Sequence, residues 1–131
     1  MENSKKKILV VEDNTETQLI IKVNIRDFYD VEITDNAQNA IDLLAKEHFD
    51  CVVLDINLNG ELDGKVVLDK IRSESGQEIP VIVTTAYDLP EGEKEIIKRA
   101  SNDYIEKPIE KERLLESLKK CLNSSNRSAS Q

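Results

Sequence analysis

The sequence predicts an α/β fold: a doubly wound five-stranded parallel sheet with helices on both faces. Two observations predict it. Strand-like and helix-like patterns alternate along the 131 residues, as repeated β-α units require. Four apolar strand-like runs also end on a reactive polar residue. Residues 6–11 lead into Glu12-Asp13, 50–54 into Asp55, 81–84 into Thr85, and 103–106 into Lys107-Pro108. Parallel strands carry such tips to one edge of the sheet, where open α/β folds bind their ligands.

Each element has a local reason. Residues 8–11 form a short buried run rich in branched side chains. Residues 15–28 show helical spacing through Leu19, Ile20, Val23 and Phe28, with Thr15 and Gln18 placed as a capping box. Residues 31–34 alternate as a strand, and 37–46 are helical through Ala40, Ile41 and Leu44. After Asp50 the run to Leu54 is continuously apolar, as a strand buried on both faces should be. Residues 57–64 are a loop dense in Asn, Gly and Asp, and 65–73 carry Val67, Leu68 and Ile71 at helical spacing. Pro80 opens the strand 81–85. Asp88 with Glu91 then suits a helix cap, Pro90 being tolerated in a first turn, and the helix continues through Ile96, Ile97 and Ala100. Residues 104–106 make the fifth strand, and 110–122 the last helix, with Leu114, Leu115, Leu118 and Leu122 inward. The domain is expected over 6–122, followed by a Ser- and Asn-rich, disordered tail at 123–131.

Composition narrows the function. No apolar run is long enough to span a bilayer and the first residues do not form a signal peptide, so a cytoplasmic protein without a membrane partner is expected. Cys51 and Cys121 make no ligand pattern and read as small apolar side chains. The net charge of −8 argues against direct nucleic-acid binding, because a phosphate backbone needs clustered Lys and Arg. Lys5-Lys6-Lys7 reads as a solvated flank to the first strand.

The strand tips carry the chemistry. Glu12, Asp13 and Asp55 repel one another when brought close unless a cation neutralises them or a proton stays on. Mg²⁺ is the natural candidate, with Mn²⁺ as a substitute, since it takes one or two carboxylates and keeps sites for water and a phosphate oxygen. The competing reading of Asp13 or Asn14 is a simple helix cap. Asp55 follows an apolar run on a rigid backbone and is the best nucleophile, able to attack phosphorus and form an aspartyl phosphate. Thr85 suits a hydrogen bond to a phosphoryl oxygen, and Lys107 supplies compensating charge. Pro108 ends the strand there and has a cis bond open to it. His48, the only histidine, precedes the third strand on the opposite edge and reads as a surface residue, so the phosphoryl donor must be another molecule.

Over 6–122 these residues resemble the receiver domain of two-component response regulators, the CheY-like group. The match is the pair Glu12-Asp13, then Asp55, Thr85-Ala86 and Lys107-Pro108, with Pro80, Asp63-Gly64 and Asn102-Asp103-Tyr104 in support. The resemblance implies a flavodoxin-like sheet of strand order 2-1-3-4-5. It implies a phosphorylation switch in which Asp55 accepts a phosphoryl group from a sensor histidine kinase or histidine phosphotransfer protein. Asp13, Asp55 and the backbone carbonyl of Asn57 would hold Mg²⁺, with Glu12 acting through water. Thr85 and Tyr104 would be the switch pair, remodelling the face of the fourth helix, fifth strand and fifth helix for a downstream target protein. Asn57 and Tyr87 stand where the family tunes phosphoryl lifetime. Beside that role, Tyr104 also reads as an ordinary half-buried strand aromatic.

Two departures bear on partner choice: the loop after Asp55 lacks the usual proline and is one residue longer than the common form, and Ala100 replaces a frequent glycine. Other classes fit less well. A Toprim-like metal enzyme would show Asp-x-Asp where Asp55-Ile56-Asn57 stands. A haloacid-dehalogenase-type phosphatase would place its nucleophile after the first strand with a second Asp where Thr15 stands. A flavin carrier would want more aromatics than 4%. The expectation is a stand-alone receiver, monomeric or weakly homodimeric and not an enzyme toward other substrates; the alternative is a receiver cut from a larger regulator or hybrid kinase.

Overall fold

Five strands pair in the order β2-β1-β3-β4-β5 in this computed structural model, which describes residues 5–58, 64–74, 78–86 and 88–130, the last seven by backbone alone. The elements are β1 (Lys7–Val11), α1 (Thr15–Ile25), β2 (Asp30–Thr34), α2 (Ala37–Lys46), β3 (Cys51–Asp55), α3 (Gly64–Ser73), β4 (Val81–Thr85), α4 (Glu91–Ala100), β5 (Asp103–Glu106) and α5 (Lys111–Ser130). All four strand pairings are parallel, in the expected flavodoxin-like order. Every residue of β3 and β4 is buried, because helices cover both faces of the central strands.

Alternation along the strands divides the core in two. On one face Leu9, Val11, Leu54 and Val83 pack with Val67 and Ile97. On the other, Ile8, Val10 and Val53 pack with Ile21, Leu114 and Leu118. Cys51 and Cys121 are free and buried within this second core. No helix among the described residues is long and apolar enough to cross a membrane.

Helix ends and faces differ from the sequence reading in four places. α1 buries Ile21 and Ile25, while Leu19, Val23 and Phe28 are 60%, 47% and 55% exposed. Apolar residues ring this helix, so spacing alone admits two stripes, and the sheet selects Ile21 with Ile25. Its cap is Asn14, whose Oδ1 accepts from Thr17 N at 2.8 Å, whereas Gln18 reaches back to the Glu12 carbonyl at 2.6 Å. α4 starts behind Pro90 with no side-chain cap, so Asp88 does not cap it, and Ile96 faces solvent. Finally, α5 continues to Ser130 through the segment read as a disordered tail; no Gly or Pro follows Pro108 to stop it.

Candidate functional site

The tips of β1, β3, β4 and β5 converge as parallel strands require. Glu12, Asp13 and Asp55 each bring a carboxylate oxygen within 4.8 Å of the others. Glu12 and Asp55 are buried and Asp13 half-buried. Lys107 enters from the end of β5, the edge strand. Its Nζ lies 3.1 Å from Asp55 Oδ2 and 2.9 Å from Glu12 Oε1. The peptide bond between Lys107 and Pro108 is cis.

Backbone geometry holds this cluster. The Glu12 N–H donates to the Thr34 carbonyl at 3.0 Å and the Lys107 N–H to the Thr85 carbonyl at 2.8 Å. The Asn57 N–H donates to Asp55 Oδ1 at 2.9 Å, fixing the carboxylate between that amide and the ammonium. Gly64, the first residue of α3, packs on the same segment and donates its N–H to the Ile56 carbonyl at 3.2 Å. A Cβ at Gly64 would collide with the Asp55 carbonyl oxygen and the Ile56 Cα, so only glycine lets α3 approach this closely.

Electrostatics follow from burial. Burial pushes the Glu12 carboxyl up from its ordinary range, with neighbouring Asp55 adding to the effect and Lys107 opposing it. Burial works against the Lys107 ammonium, but Glu12 and Asp55 outweigh it and raise its pKa. Glu12 Oε1 is buried in ionic contact with Lys107 but receives no aligned hydrogen bond. A divalent cation fits this donor set: three carboxylates of hard oxygen, one with an unsatisfied buried lone pair, and Lys107 in contact with two of them.

Thr85 ends β4 fully buried, and its hydroxyl donates to Asn57 Oδ1 at 2.5 Å. Tyr104 is half-buried, with its ring among the residues packed on the α4 side of the sheet. Lys98 Nζ lies 5.4 Å from the ring centroid. The Tyr104 hydroxyl is buried without a hydrogen-bond partner among the described residues. Tyr87 and residues 59–63, Asp63 included, lie outside the described residues. His48 is exposed at the opposite end of the sheet, 3.2 Å from Asp50. The side-chain bond between Asn57 and Thr85 could not be read from the sequence, because no spacing rule joins the loop after β3 to the end of β4.

The response regulator receiver domain family of two-component systems matches residues 8–119, and the chain belongs to it. Membership sets aside the Toprim-like metal-enzyme, phosphatase and flavin-carrier readings. The chain is 31% identical over 116 residues to the transcriptional regulatory protein ZraR of Escherichia coli (strain K12), a match covering 88% of this chain and 26% of ZraR. It thus spans about a quarter of that relative's length. A CheY-like receiver domain protein from Methanospirillum hungatei JF-1 superposes with a TM-score of 0.84 at 28% identity, over 95% of this chain and 99% of that one. The receiver domain of sensor histidine kinase PA1611 from Pseudomonas aeruginosa PAO1 gives 0.82 at 27% identity, over 92% and 99% of the two chains. It has a magnesium ion coordinated in its active site cleft.

Proposed function

We propose that this domain is a phosphorylation switch whose phosphoacceptor is Asp55. The observation that carries it is the Asp55 carboxylate, pinned between the Lys107 ammonium and the Asn57 amide beside Glu12 and Asp13. A carboxylate oxygen of Asp55 attacks the phosphorus of a phosphohistidine, the P–N bond breaks, and the imidazole of a sensor histidine kinase or phosphotransfer protein leaves. Asp13, Asp55 and the Asn57 carbonyl hold Mg²⁺, or Mn²⁺ in its place, with Glu12 acting through water. When bound, that ion neutralises charge on the phosphoryl oxygens. Lys107 supplies the fixed positive charge on the other side of the acceptor.

The new dianion then attracts the Thr85 hydroxyl, and the shift at the end of β4 alters how α4 packs around Tyr104. The face of α4, β5 and α5 is what a downstream target protein reads. Asn57 and Tyr87 set the phosphoryl lifetime. The domain works in the cytoplasm, and its only chemistry is its own phosphorylation and dephosphorylation.

The test is intact mass after incubation with Mg²⁺ and acetyl phosphate, beside Asp55→Asn. One Mg²⁺-dependent phosphoryl adduct is expected on the wild type and none on the variant. An adduct that survives the substitution would show the nucleophile to be another residue.

A further inference from the structure

Asn57 touches both the acceptor carboxylate and the hydroxyl beside it. Its backbone N–H donates to Asp55 Oδ1 at 2.9 Å, and its side-chain Oδ1 accepts from Thr85 Oγ1 at 2.5 Å. Thr85 has 0% of its surface exposed, so its hydroxyl turns only within the packed end of β4. A threonine hydroxyl has one proton to donate. While Asn57 holds that proton, an oxygen on a phosphorylated Asp55 does not receive it.

Taking Asp55 as the phosphoacceptor, we propose that Asn57 is a latch on Thr85. Its amide oxygen holds the hydroxyl in the unphosphorylated protein and is displaced when Thr85 turns to the phosphoryl group. Bond strengths set the order of events. The amide oxygen is a neutral acceptor, whereas a phosphoryl oxygen is charged and forms a bond roughly twice as strong. The latch therefore holds before phosphorylation and yields after it. Because the backbone N–H of the same residue is hydrogen-bonded to the acceptor carboxylate, the latch sits beside the group where the new charge arrives. The side chain of Asn57 is in this sense a positioning group, acting on the phosphoryl site through Thr85.

The test is a titration with beryllofluoride, a phosphoryl mimic, in saturating Mg²⁺, with the bound fraction read by ¹⁹F NMR. Wild type is compared with Asn57→Ala, Asn57→Leu, Thr85→Val and the double variant Asn57→Ala/Thr85→Val. Both Asn57 variants lack the acceptor oxygen, and Leu nearly keeps the shape, so it decides the matter where Ala unfolds. Each is expected to bind beryllofluoride about fivefold more tightly, the shift that loss of one net hydrogen bond in the latched state produces. In the Thr85→Val background the Asn57 substitution is expected to change nothing. A gain that persists without the Thr85 hydroxyl, or no gain in a folded Asn57 variant, overturns the latch. Wild type that takes up no beryllofluoride overturns the phosphoacceptor reading instead, and the latch with it.

Discussion

Asp103 opens β5 and holds α5 against it. Arg113 donates to both of its carboxylate oxygens, at 3.0 and 3.2 Å. Ser117 adds a hydrogen bond of 2.6 Å and the Tyr104 N–H one of 2.8 Å. Burial pushes this carboxyl upward, but the four donors outweigh it and bring the pKa from 3.8 down to about 2. The folded value lies below the unfolded one, so the contribution is fully present above about pH 4 and is lost as the pH falls toward 2. Asp103→Asn is therefore expected to destabilise the domain at neutral pH. The gap to wild type should shrink between about pH 4 and 2, in urea unfolding at a series of pH values. A gap constant over that window would mean the charge of Asp103 contributes nothing.

At the scale of elements, α4 is held differently at its two ends. Pro90 gives its first turn no side-chain cap. Its last turn is bound by Arg72 from α3, whose guanidinium donates to the Ala100 carbonyl at 2.7 Å, the Ile79 carbonyl at 2.8 Å and Asn102 Oδ1 at 2.8 Å. Asn102 in turn accepts from the Val81 N–H at 2.9 Å, so one side chain ties α3, β4 and α4 together. Arg72→Ala is expected to cost about 3 kcal/mol, because it strips a charged donor from three acceptors at once. Arg72→Lys should recover less than half, since an ammonium lacks the planar fork. The check is the shift in urea midpoint at unchanged slope; a loss under about 0.5 kcal/mol would show the staple to be decorative. Nothing local in the sequence marks Arg72, for its partners lie in other elements.

Across the whole molecule, two cores on either side of one sheet supply cohesion, and the site opposes it. Three carboxylates gathered at one edge of a chain of net charge −8 repel one another, with one lysine between two of them. A cation that binds only the folded state must therefore stabilise the entire domain. Mg²⁺ at a hundredfold excess over its dissociation constant is expected to add about 2.7 kcal/mol. Unfolding curves with Mg²⁺ and with chelator, at matched ionic strength, measure this. The same gain in an Asp13→Asn/Asp55→Asn variant would mean general screening rather than a site.

The order of elements and the identity of the strand tips are legible in the sequence. Both are local matters: Asp55 and Thr85 stand out because apolar runs end on them, and parallel strands have one common edge. The remainder depends on how the elements pack. α1 offers two apolar stripes of equal spacing, and only packing on the sheet buries Ile21 and Ile25 while leaving Leu19 and Val23 outside. The bond between Asn57 and Thr85 and the reach of Arg72 depend on side chains meeting across the fold. Periodicity reports which face of an element is apolar, but not which distant residue will stand opposite it.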